Sequence, residues 1–149
     1  WSQGTAQGEV YAANHSGINW SAIGCFDFLS ATELNLTQLE ANYNIGADDL
    51  DGVDETFNRN DHEAFSTATT AFSSGQCNNT KVYNQSGIGT FDEVLLYDSS
   101  NDVPVFTSIL LDDAMGFDNV THDFEMLVLE DGHGSDTATT TYYFYVELG

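Results

Sequence analysis

The densest set of possible metal ligands in this 149-residue chain is the run Asp48-Asp49-Leu50-Asp51-Gly52-Val53-Asp54-Glu55. Carboxylates alternating around a glycine bend present the oxygen ligands that Ca²⁺ prefers. Asp49, Asp51, Asp54 and Glu55 are therefore the calcium candidates. Asp49-x-Asp51-Gly52 resembles the opening of a calcium loop, but the third Asp and the closing Glu of the EF-hand spacing are missing. A solvated acidic loop is the plainer reading in a chain this acidic. Asp112-Asp113 and the stretch from Asp131 to Asp136 are weaker versions of the same arrangement.

Other constellations are thinner. His15, His62, His122 and His133 form no H-E-x-x-H and put no two rings on one helical face, so each reads as an exposed turn residue. No Gly-x-Ser-x-Gly elbow occurs, and Gly87-Ile88-Gly89 lacks the basic residue a phosphate loop needs. A carboxylate pair for glycoside hydrolysis is defined by its spacing in three dimensions, and in a chain full of acids finding two is no evidence. The expectation is a non-catalytic protein with no resident cofactor beyond calcium in that acidic loop.

Cys25 and Cys77 are the only cysteines. They form no C-x-x-C or Cys/His cluster, which argues against zinc or redox catalysis. A pair of this kind in an oxidising compartment reads as one disulfide. The acceptor triplet for N-glycosylation, Asn-x-Ser/Thr, stands at Asn14, Asn19, Asn35, Asn78, Asn84 and Asn119. With 12 Asn and 27 Ser plus Thr in 149 residues, chance supplies about two such triplets, a third of the six present. Covalent N-glycans and an extracellular, cell-surface location follow as expectations.

Charge narrows the partners. The chain holds 24 acidic residues against Arg59 and Lys81, a formal charge of −22. Binding to nucleic acid or anionic lipid needs Lys and Arg to neutralise phosphates, so both are disfavoured. Self-repulsion on this scale destabilises the compact state unless salt or bound cations screen it. Acid-rich, lysine-poor surfaces suit salty water.

These groups are positioned by elements that read mainly as strands. Aromatic residues make up 13% of the chain and there is a single proline, a composition that leans to β-structure. Short strands are expected at 9–14 and 25–29. Phe91–Tyr97 and Val103–Leu111 form a hairpin across Asp98–Asp102, with Val103, Val105, Ile109 and Leu111 on one face of the second strand and Phe106 and Leu110 on the other. Phe124–Glu130 and Thr137–Leu148 read as another hairpin across Asp131–Asp136. The fold class is an antiparallel β-sandwich of immunoglobulin-like or jelly-roll type, in one domain spanning 1–149.

The stretch from Ser30 to Gly75 reads as a helical insertion whose base the disulfide pins to the sheet. Ser30-Ala31-Thr32-Glu33 has capping-box form, and Leu36, Leu39 and Tyr43 follow a helical face; alternation of Leu39, Ala41, Tyr43 and Ile45 leaves a strand open there. A second helix is expected after Asn60, with Phe65, Ala68 and Phe72 on one face and Gly75 as terminator. Residues 1–8 read as an arm that contacts a neighbouring subunit or packs on its own domain. The last strand carries apolar or aromatic residues on both faces, which suits a buried central strand or, at an edge, strand addition to a neighbour.

In kind, the chain resembles glycosylated, lysine-poor surface proteins of archaea, among them pilus, filament and sheath subunits. It lacks the long apolar helix that opens a type IV pilin or archaellin. The resemblance implies a self-assembling structural subunit; the alternative is an adhesion or carbohydrate-binding module, calcium-dependent if the acidic loop holds an ion, with Trp1 and Trp20 available to stack on sugar rings.

Overall fold

The computed structural model describes residues 7–31, 33–46, 49–131 and 137–149. The expected arm and the loop after Asp131 fall largely outside them, as do Thr32, Asp48 and His133. Among the described residues ten strands and two short helices follow one another. They are β1 (Gly8–Ala13), β2 (Ile23–Cys25), α1 (Leu36–Asn42), α2 (Val53–Thr56), β3 (Phe65–Thr67), β4 (Thr70–Phe72), β5 (Asn79–Tyr83), β6 (Gly89–Asp98), β7 (Val103–Ile109), β8 (Ala114–Met115), β9 (Thr121–His122) and β10 (Tyr143–Leu148). A single 3₁₀ turn, Trp20–Ala22, leads into β2, and the Asn19 side chain caps it.

One antiparallel sheet organises the described residues, in the order β10-β1-β7-β6-β2. β5 shares the outer edge of β6 with β2: β2 pairs Asp98 to Leu96, and β5 pairs Val94 to Gly89. The centre of the sheet is β6, whose residues from Val94 to Asp98 are all buried. Alternation sends Val94 and Leu96 to one face, and Leu95 and Tyr97 to the other. A strand covered on both faces reads as a continuous apolar run, as this one does.

On the first face the core gathers Tyr11, Ala13, Val94, Leu96, Val103 and Val105 under the β3–β4 hairpin. On the second, Ala12, Leu95, Tyr97 and Phe106 meet Phe26, the helices through Leu39, Tyr43, Val53 and Phe57, and the strap 124–130 through Met126 and Leu129. The mainly β, antiparallel character expected from the sequence is present. The second large sheet that a sandwich requires is absent among the described residues; helices, a strap and a two-stranded hairpin cover the sheet instead.

The insertion between the cysteines straddles the sheet, helices on one face and hairpin on the other. α1 resolves the open choice at 36–42 in favour of helix. Its cap lies at Asn35, whose side chain accepts from Gln38 N–H while Gln38 returns a bond to the Asn35 backbone. Ser30 Oγ does accept from Glu33 N–H at 3.1 Å, but as an isolated turn. The helix expected after Asn60 is instead the β3–β4 hairpin. Phe65 and Phe72, seven apart, fit a helical face, yet they also pair across the tight turn and stack at 4.9 Å. Threonines at 67, 69 and 70 favour the extended form. The tip is held from outside: Ala68, at φ 25°, donates its N–H to both carboxylate oxygens of Glu147 in β10, at 3.1 and 2.9 Å.

The strand expected at 124–130 is a strap. The segment makes no strand and no hairpin with β10, which pairs β1 along its whole length. The strap is tacked down by side chains, with Ser108 Oγ donating to Glu125 O at 2.8 Å and Leu127 N–H donating to Glu93 Oε2 at 2.6 Å. Cys25 and Cys77 are disulfide-bonded, joining β2 to the residues that enter β5. No helix among the described residues is long and apolar enough to cross a membrane.

Candidate functional site

The last strand is an edge, not the centre, of the sheet. β10 ends the strand order, so no strand lies on its outer side among the described residues. Register fixes what it presents. Val146 opposes Val10 and Phe144 opposes Ala12, which sets Phe144, Val146 and Leu148 on the second face. Those three side chains are 59%, 61% and 75% exposed. The apolar surface continues onto the face through a depression of about 320 Å³ lined by Val10, Leu110, Phe124, Val146 and Leu148 with His122 and Asp123.

Tyr143, Tyr145 and Glu147 point to the first face. Tyr145 meets Trp20 edge-on at 5.3 Å, and Trp20 meets Tyr11 at 4.8 Å. With Ala68, Val146 and Glu147 these rings line an open cleft of about 290 Å³. Glu147 is the strand's only carboxylate, and it is turned inward onto Ala68 N–H and the Tyr11 hydroxyl. Directly opposite it in register lies Glu9, nearly buried. Burial, and then the Glu147 charge, push the Glu9 carboxyl up to about 6. Burial first, then the charges of Glu9 and Glu147, raise the Tyr11 hydroxyl above its ordinary range. Thus the exposed edge that β10 forms among the described residues carries no outward charge of its own.

Two of the six glycosylation triplets touch β10: the Tyr145 hydroxyl donates to His15 O in the Asn14 triplet at 3.0 Å, and Trp20 of the Asn19 triplet meets the Tyr145 ring. Three gather around the β6–β7 turn: Asn14 donates to Tyr43 Oη at 3.0 Å, Asn19 to Ser100 Oγ at 2.9 Å, and Asn35 follows Leu34, whose N–H reaches Asp102. Asp98 organises this turn. Burial raises its carboxyl, but donation from Asn101 and from backbone N–H groups of Asn19 and Ser100 outweighs it and holds the group below the usual carboxylate range. At the opposite end Asn84 shapes the β5–β6 turn, and Asn119 donates to Gln85 Oε1 at 2.6 Å. Asn78, beside the disulfide, donates its Nδ2 to a backbone carbonyl, Phe57 O, at 2.9 Å, while its Oδ1 accepts from Asn60.

The acidic loop is assembled differently from its sequence. Asp54 and Glu55 come together with Glu40 of α1, their carboxylate oxygens within 4.8 Å of one another. Asp49 turns away to accept Gly46 N–H at 2.7 Å, and Asp51 does not join the cluster. Glu40, nearly buried, accepts Val53 N–H at 3.0 Å and so tethers α2 to α1. Sequence spacing could not have found it, because Glu40 lies on another helix, thirteen residues before the Val53 it tethers.

The histidines also divide. His15 is exposed, as expected. His62 is fully buried, which corrects its reading as a turn residue: Nε2 accepts Cys77 N–H at 3.1 Å and Nδ1 lies 2.6 Å from Glu63 O. That pair of bonds suits the tautomer protonated on Nδ1 and leaves the ring as a strut behind the disulfide. His122 contacts Asp118 Oδ1 at 2.9 Å. Arg59 pairs with Asp61 and Lys81 with Asp92, so both side-chain cations of the chain are engaged. No protein-family model, curated protein or solved structure matches the chain.

Proposed function

We propose that this chain is a non-catalytic, N-glycosylated structural subunit of an extracellular filament, sheath or surface layer, of the archaeal kind, and that it associates with copies of itself along β10. The observation that carries this reading is the exposed apolar edge strand whose single carboxylate is turned inward. An unprotected edge of this kind pairs with another strand. A second copy carries the same charge of −22, yet it meets no outward carboxylate on β10 itself. Antiparallel pairing of two β10 strands would give an isologous dimer with one sheet running through both copies, the unit that a longer assembly joins through a further contact.

Light scattering and negative-stain microscopy of native glycosylated material at high salt test the proposal. Assemblies are expected from the wild type, and a monomer with an unchanged melting temperature from Val146→Lys. A wild type that stays a monodisperse monomer at high concentration would remove this reading, and an intact mass equal to bare polypeptide would remove its glycoprotein half.

A second reading rests on the Trp20–Tyr145 cleft with Tyr11 and Glu147. Aromatic faces beside a carboxylate suit a sugar ring, which makes an adhesion or carbohydrate-binding module the alternative, calcium-dependent if Glu40, Asp54 and Glu55 hold an ion. Glycan-array binding that disappears in Trp20→Ala supports it. A flat array, together with a melting temperature indifferent to chelator, disposes of both parts.

A further inference from the structure

We propose that Asp118, His122 and Glu125 form a binding site for a borderline divalent cation of the Zn²⁺ class. The three residues come from different pieces of chain: the β8–β9 turn, β9 itself and the strap. Their ligand atoms nevertheless lie within 4.8 Å of one another. One imidazole with two carboxylates is a donor set suited to zinc and its neighbours, whereas Ca²⁺ takes oxygens alone.

The dimensions fit. Around a tetrahedral ion with bonds near 2.1 Å, ligand atoms sit about 3.4 Å apart. Small side-chain rotations bring these three to that spacing. His122 Nε2 and Asp118 Oδ1 already stand 2.9 Å apart with room between them for one proton, which the ion replaces. The Glu125 carboxylate is oriented in advance, because Phe117 N–H reaches its two oxygens at 3.0 and 3.2 Å.

Gly116 supplies an independent indication. A Cβ there would lie 2.4 Å from Glu125 Oε1 and 2.5 Å from His122 Cδ2. Gly116 is not among the positive-φ glycines, so what it provides is space for these two side chains and not an unusual backbone. Asp118 is exposed and the other two are partly so, which leaves an entry path and a place for water as the remaining ligand. Bound there, the ion clasps the β8–β9 hairpin to the strap.

Calorimetric titration of the whole chain with ZnCl₂ tests the site, in about 1 M NaCl to screen diffuse attraction of divalent ions to so acidic a protein. One saturable equivalent is expected for the wild type and for Glu63→Gln, a remote exposed carboxylate. Affinity should fall at least about tenfold in His122→Ala and in the isosteric Asp118→Asn, so a His122→Ala chain that misfolds leaves the second variant to decide. CoCl₂ should give a visible absorption band that the same variants lose. No saturable binding, full affinity in both variants, or displacement of zinc by equimolar Ca²⁺ would overturn the assignment.

Discussion

At the scale of single residues, two of the buried carboxyls of the sheet, Glu93 and Glu9, make the clearest statements. Glu93 is fully buried, accepts one N–H from Leu127, and leaves Oε1 without a partner. Burial pushes its pKa up to about 8. Its ordinary value is 4.5, so the folded protein holds this proton more tightly than the unfolded chain. The contribution to stability is complete below about pH 4.5 and drains away as pH climbs through 8. Glu9 acts in the same sense over the narrower window up to about 6. We expect stability to fall between pH 5 and 9 in chemical denaturation, and Glu93→Gln to flatten most of that slope while keeping an acceptor for Leu127. A Gln variant as pH-sensitive as the wild type would show the proton to reside elsewhere. Asn78 yields a second prediction. Its amide nitrogen is the atom a glycan must use, and it is bonded to Phe57 O. Glycopeptide mass spectrometry should find Asn78 bare and Asn84, at an open turn, occupied.

At the scale of elements, the disulfide and β10 carry the consequences. The bridge closes 52 residues that contain both helices and the β3–β4 hairpin. By chain-entropy arithmetic this is worth about 4 kcal/mol. Removing both cysteines should lower unfolding free energy by that order, with the larger loss in the insertion; hydrogen exchange would locate it. A double mutant as stable as the wild type would mean that His62 and the paired phenylalanines hold the insertion unaided. For β10, a lysine at 144 or 146 places charge on the exposed side without touching the Glu147 contacts. Phe144→Lys should therefore block assembly and spare the fold. Both aromatic faces of this strand were readable as sequence, but its place at the edge was not. Strand order is decided by which partners β1 acquires, and β1 takes β7 and β10 from far along the chain.

For the whole molecule, net charge is the governing quantity. With −22 charges and two engaged cations, repulsion has to be screened by the medium. Melting temperature should rise from low salt to molar NaCl, and sulfate should add to the effect through tighter effective burial. A response flat from low to molar NaCl would mean that the acids are spaced widely enough to tolerate each other without screening.

Composition and local pattern by themselves determined the antiparallel strands, the β6–β7 hairpin, the disulfide and the scarcity of ion pairs, because each depends on residue type or on neighbours close in sequence. Only the tertiary structure decided the rest. Phe65 and Phe72 satisfy a helix and a hairpin equally until Glu147 captures the turn between them. The strap at 124–130 looks like a strand until Ser108 and Glu93 take its backbone groups. Glu40 joins Asp54 and Glu55, and Gly116 opens room for His122 and Glu125, through contacts between separate elements. Such choices turn on which long-range partner satisfies a polar group when water is excluded, and a linear pattern holds no information about that partner's position.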